Sequence, residues 1–147
     1  MIQPTKIDFH HRRISGVEDT SELVVMLFPG NRNQQYAAAC ILFELKWAEA
    51  IVPSLDFSTL RYRISRRILQ RARAKLARLG LIEHVSSLNA RYGGQQGWRL
   101  SSRFAGALRQ LTDRVEQWSK ARCAEKKDKE QLLLEFNRPP RPREMNA

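Results

Sequence analysis

Residues 65–82 read Ser-Arg-Arg-Ile-Leu-Gln-Arg-Ala-Arg-Ala-Lys-Leu-Ala-Arg-Leu-Gly-Leu-Ile, and no acidic residue stands between Asp56 and Glu83. No other run constrains the fold as strongly. Ser65 has the chemistry of a helix cap and Gly80 that of a left-handed stop, which brackets a helix between them. At 100° per residue from Arg66, the side chains of Ile68, Leu69, Ala72, Leu76 and Leu79 fall between about 200° and 300°, a single apolar stripe. Arg66, Arg67, Gln70, Arg71, Arg73, Ala74, Lys75 and Arg78 occupy the rest of the circle. A solvated helix face ordinarily mixes both signs, because opposite charges at i,i+4 support the helix. A face of one sign repels itself, and an anionic partner relieves that repulsion. The pattern predicts a helix with one side in a core and the other against a polyanion.

Charge across the chain points the same way. Its 147 residues carry a formal net charge of +11, with a pI near 10.5. Nucleic acid is the first partner this balance suggests, and an anionic membrane surface the second. With 42% hydrophobic residues, one domain with a core and appendages can form. Cys40 and Cys123 stand far apart, outside any C-x-x-C pair, which suits a reducing compartment rather than a disulfide framework. His10, His11 and His84 do not reach ligand spacing with either cysteine, so neither a metal site nor a cofactor is expected. No charged-then-apolar leader and no bilayer-length apolar run is evident, and the expected location is cytoplasmic, with the nucleoid.

The flanking sequence divides into recognisable pieces. Residues 1–32 make an N-terminal arm and a short helix. The arm, with Lys6, His10, His11, Arg12 and Arg13, reads as disordered chain, a short strand or a groove-reaching extension. Asp19 and Glu22 have capping-box spacing ahead of the apolar residues 23–28, which suit a helix or a buried strand before Pro29-Gly30 stops them. Asn33 is the expected cap of a helix reaching about Ala50, with Ala37, Cys40, Ile41, Leu45 and Ala48 inward and Tyr36 and Trp47 at its edges. Cys40 reads as a small buried hydrophobe, since no cation or base motif surrounds it.

Ile51 and Val52 suggest a short strand, and Ser54 caps a compact segment with Leu55 and Leu60 inward. Only about three residues separate that segment from the basic helix, the length of a helix-turn-helix corner, although no glycine marks the turn. Beyond Gly80, Leu81, Ile82, Glu83, His84 and Val85 read as a strand, with His84 on the surface. Residues 86–97 form a glycine-rich, basic tip, and Trp98-Arg99-Leu100 returns as a second strand.

Ser101 or Ser102 caps a final long helix within residues 103–136. Phe104, Leu108, Leu111, Val115 and Trp118 recur at spacings of 4, 3, 4 and 3, a seam of about two heptads. A seam that short can pair two protomers or pack on its own chain. Cys123 lies in an inert mixed-charge run. Leu132, Leu133, Leu134 and Phe136 form a second apolar patch, and residues 137–147 a basic, proline-rich tail.

The order helix, short helix, basic helix, strand, glycine-rich loop, strand, long helix resembles the winged helix-turn-helix family of prokaryotic DNA-binding domains. The resemblance rests on the run Ile64-Ser65-Arg66-Arg67-Ile68-Leu69-Gln70-Arg71-Ala72, then Leu76, Leu79-Gly80-Leu81-Ile82, Gly93-Gly94 and Trp98-Arg99-Leu100. It covers residues 33–102 and departs from the family in Phe57-Ser58-Thr59-Leu60-Arg61-Tyr62, which lacks the usual alanine-rich pattern. The expected fold is mainly α with a small β-hairpin wing and a long C-terminal helix.

The resemblance implies that the Ser65 helix enters a major groove, where base edges display a readable donor and acceptor pattern. Arg67, Gln70 and Ala74 then face the bases, with Arg66 and Arg71 beside them. Arg73, Lys75 and Arg78 meet phosphates, as do Ser65 and the first amides of the helix. Arg91 at the wing tip would enter a minor groove. No phosphate loop, metalloprotease, nucleophile-elbow or deaminase motif is present, so an enzyme is not expected. RNA ranks low because only Tyr92 and Trp98 offer stacking surfaces near the hairpin. A sequence-specific regulator of transcription, working as a dimer through residues 104–118, is the leading expectation. A plasmid or phage replication or partition protein and a winged helix that docks an acidic protein are the alternatives.

Overall fold

In a computed structural model the chain is described at residues 5–56, 61–86, 95–120 and 125–139. It divides into two units, Met1–Ala107 and Leu108–Ala147. The described residues are mainly helical with one two-stranded antiparallel sheet.

The first unit opens with a feature the sequence did not suggest. His11–Ser15 forms a short helix, α1, capped by His10, whose ring nitrogen accepts the Arg12 amide at 3.2 Å. The segment before it is tied down, because the Asp8 amide donates to the Met26 carbonyl at 2.9 Å and Ile7 packs half-buried on the core. Local propensity gave no signal for this anchoring, which is tertiary.

α2 (Thr20–Leu27) settles the helix-or-strand ambiguity of residues 23–28 in favour of helix. Asp19 Oδ1 accepts the Glu22 amide at 2.9 Å, and Glu22 reaches back to the Glu18 amide at 3.1 Å, one residue before the cap. Val24, Met26, Leu27 and Phe28 are buried.

α3 (Arg32–Trp47) begins two residues earlier than expected. Gly30 takes a φ of 75° after Pro29, which presents Asn31 rather than Asn33 as the cap, and its side chain accepts the Gln34 amide at 3.1 Å. The buried face comprises Ala37, Ala38, Cys40, Ile41, Leu42 and Leu45, broader than one stripe because α3 is packed on more than one side. The helix stops at Trp47, before Ala50. Val52 then exchanges backbone hydrogen bonds with Trp98 (3.0 and 2.7 Å), and Leu55 is fully buried. Leu60 lies outside the described residues.

α4 (Arg66–Leu79) forms where the basic run predicts it. Ser65 Oγ accepts the Ile68 amide at 3.2 Å. Gly80, at φ 86°, ends the helix with a paired stop, its own amide bonding the Ala77 carbonyl and the Leu81 amide bonding the Leu76 carbonyl. Leu69, Ala72 and Leu76 are completely buried against α3, with Ile68 and Leu79 half-buried at the edges. Each buried leucine contributes on the order of 1.5–3 kcal/mol to folding.

β1 (Ile82–Val85) and β2 (Gly97–Leu100) pair antiparallel with Ile82 opposite Leu100, Glu83 opposite Arg99, His84 opposite Trp98 and Val85 opposite Gly97. Ile82 and Val85 turn inward, and Leu81 stays outside the strand. α5 (Arg103–Lys120) starts on the end of α4. The Ser101 amide bonds the Leu81 carbonyl at 2.9 Å, the Phe104 amide bonds the Gly80 carbonyl at 3.0 Å, and Phe104 packs half-buried on the core.

In the second unit, α5 continues and α6 spans Glu125–Phe136. Leu111, Val115 and Trp118 on α5 are exposed, as are Leu132, Leu133, Leu134 and Phe136 on α6. Cys123 and residues 140–147 of the tail lie outside the described residues. Among the described residues no helix is long and apolar enough to cross a membrane.

Candidate nucleic-acid interface

The burial of Leu69, Ala72 and Leu76 fixes the rotation of α4, and with it the side that faces solvent. Ser65, Arg66, Arg67, Gln70, Arg71, Ala74 and Arg78 are all exposed on that side. These are seven of the nine residues proposed from the sequence, gathered on one helix and its cap. Arg91, together with Gly93 and Gly94, lies outside the described residues.

Lys75 departs from the expectation. It stands at about 180° on the wheel, where the cationic face meets the apolar stripe. Its ammonium turns inward, donating to the Lys6 carbonyl at 2.6 Å and to the Leu27 carbonyl, and lies 4.5 Å from the centre of the Phe28 ring. Burial lowers its pKa below the usual lysine value, and the charge of Arg78 adds to the effect. The reason is positional. A long side chain at the boundary can reach either way, and here two carbonyls at the end of α2 and in the N-terminal segment offer it acceptors.

The opposite boundary belongs to Arg73. Its guanidinium lies 5.0 Å over the Trp98 ring, and His84 meets the same ring edge-on at 5.0 Å. Arg73 is half-buried. One margin of the cationic face is therefore built onto the N-terminal segment and the other onto the hairpin.

Carboxylates near the face are few. Asp56 approaches Arg66 at 4.0 Å, with both side chains more than half exposed, so the pair leaves most of that charge available. Glu83 is engaged by Arg99 at 3.3 Å and Arg103 at 3.7 Å. Glu44 holds Arg61 at 3.0 Å and accepts the Tyr62 hydroxyl, and that hydrogen bond raises the Tyr62 pKa.

The corner before the helix contains a residue that spacing could not reveal. Arg63 adopts φ 53°, the left-handed conformation that a glycine would otherwise supply. Its side chain is exposed, two residues before the Ser65 cap. The sequence carried no signal for it, since a sharp corner can also be built with negative φ throughout.

Elsewhere the chemistry is sparse. No group of three or more His, Cys, Asp or Glu side chains placed to hold a metal ion occurs among the described residues. Cys40 is buried, and burial pushes its thiol above the ordinary cysteine value, away from thiolate chemistry. A groove of about 620 Å³ between α2 and α3 is lined mostly by apolar side chains that include Leu23, Leu42, Phe43 and Trp47.

No protein-family model, curated protein or solved structure matches this chain.

Proposed function

We propose that the chain binds double-stranded DNA through α4 as a winged helix-turn-helix protein, and that it regulates transcription by recognising a defined sequence. The observation that carries this reading is the exposed, single-signed face of a capped helix whose rotation is fixed by three fully buried residues. A rigid cationic helix bordered by a hairpin suits the width of a major groove, which admits an α-helix.

On this reading Arg67 and Gln70 meet base edges, Ala74 leaves room for close approach and Arg66 and Arg71 lie to either side. Arginine bonds guanine bidentately and glutamine bonds adenine, each good pair giving about 1–3 kcal/mol of discrimination. Arg78 meets the backbone. Arg91, outside the described residues, is the proposed minor-groove contact. Ser65, already capping its own helix through Oγ, contributes by orienting the first amides toward a phosphate.

Two copies act together in this proposal. The exposed stripe of Leu111, Val115 and Trp118 supplies an apolar seam for pairing, and paired domains read half-sites about one helical turn apart. The test is a selection from random duplex DNA at a stated salt concentration. An enriched motif with two related halves supports regulation by a dimer. Direct repeats of the motif near a replication origin favour the replication reading, and no enrichment overturns sequence recognition.

A further inference from the structure

We infer that residues 6–13 form a second phosphate-contacting element, held against the Lys75 edge of α4, so that a bound duplex is gripped from α4 onto the N-terminal segment. The inference rests on the DNA-binding reading of α4 and extends the surface that serves it.

The segment reads Lys-Ile-Asp-Phe-His-His-Arg-Arg, with Lys6, Arg12 and Arg13 against the single carboxylate of Asp8. A terminal run of this composition would ordinarily be loose. Here it is fastened at three points. Lys75 Nζ holds the Lys6 carbonyl at 2.6 Å, the Asp8 amide bonds the Met26 carbonyl at 2.9 Å, and Ile7 packs on the core. The fastening is unusual in its chemistry, because a cation of the candidate interface is directed inward to hold a backbone carbonyl. One inward charge on α4 thereby fixes, through the Lys6 carbonyl, the backbone of a segment that carries three cations.

Those cations remain available. Lys6, Arg12 and Arg13 are exposed, and no ion pair engages Arg12 or Lys6 among the described residues. Arg13 meets Asp8 at 3.4 Å, but both side chains are more than a third exposed, and such a pair exchanges readily for a phosphate. α4 presents Arg71 and Arg78 on the side that leads toward Lys75, the residue that fastens the segment through the Lys6 carbonyl. A duplex backbone fits this arrangement, since its charge repeats along a line and rewards cations set side by side.

The experiment measures duplex affinity of the full chain against salt concentration for the wild type, R12A/R13A, K75M and R67A, with thermal melting of each to confirm folding. Each phosphate contact contributes about 0.9 to the slope of log affinity on log salt, so R12A/R13A should flatten the slope by about 1.8 without changing the preferred sequence. K75M, still folded, should flatten it by a smaller amount, because the Asp8–Met26 bond and Ile7 still hold part of the segment. A wild-type slope in R12A/R13A overturns the inference while leaving the reading of α4 intact, provided R67A loses its base preference. A wild-type slope in K75M overturns the holding role of Lys75. Failure of the wild type to bind duplex overturns the reading itself.

Discussion

Arg73 lies with its guanidinium 5.0 Å over the ring of Trp98, which couples the candidate recognition helix to the hairpin beside it. Although the wheel places Arg73 among the cations, its contact is an aromatic face rather than solvent. R73Q should cost roughly 0.5–1 kcal/mol of stability, the scale of a partly exposed cation–π contact. The slope of duplex binding on salt should stay as in the wild type. A slope reduced by about one would show instead that Arg73 contacts a phosphate.

Gly97 holds the hairpin to the segment after α3. A Cβ there would lie 2.3 Å from the Val52 carbonyl oxygen and 2.7 Å from Ile51, and the residue has φ 149°. The two backbone hydrogen bonds between Val52 and Trp98 require that closeness. G97A should destabilise the chain by about 2–4 kcal/mol through overlap and strain, read as a lower denaturant midpoint. A midpoint within experimental error of the wild type would contradict the close approach.

Asp19 makes the N-terminal cap of α2 sensitive to acid. Its pKa lies below the ordinary aspartate value, chiefly because the carboxylate accepts the Glu22 amide and then because it accepts the Ser21 hydroxyl. The folded state therefore binds this proton less readily than the unfolded state. The contribution is complete above the unfolded pKa and is lost as pH falls through the depressed folded value. D19N, which caps comparably without a charge, should lose less stability than the wild type over that acid window. Melting curves that shift in parallel across the window would contradict the assignment.

Leu111, Val115 and Trp118 are 54–75% exposed, an apolar stripe on α5. Paired in a dimer, such a stripe would be covered; a V115D change would then separate the protomers. Sedimentation should show the wild type at about twice the mass of the variant. A wild type already sedimenting as a monomer would remove the dimer from the proposal.

How legible each part was depended on whether its cause was local. The limits of α4 could be read because Ser65 and Gly80 act on amides and carbonyls within a few residues of themselves. Its rotation was legible because five apolar residues share one stripe. α1 escaped notice because the bond anchoring its approach joins Asp8 to Met26. The start of α3 shifted from Asn33 to Asn31 because both asparagines can cap, and the turn at Gly30 decides between them. Lys75 sat at a boundary angle from which composition could not say whether it faced outward or inward. The hairpin strands were found from alternation, but the third partner, Val52, was visible only as a short apolar pair before Pro53.

We propose that α4 divides its cations between base edges and backbone. Duplex affinities of the wild type, R67A and R78A, measured on a panel of sequences over a range of salt, test it most directly. R67A should level the differences between sequences, while R78A should weaken all of them alike and reduce the salt slope by about one. Equal losses in both variants on every sequence would contradict it.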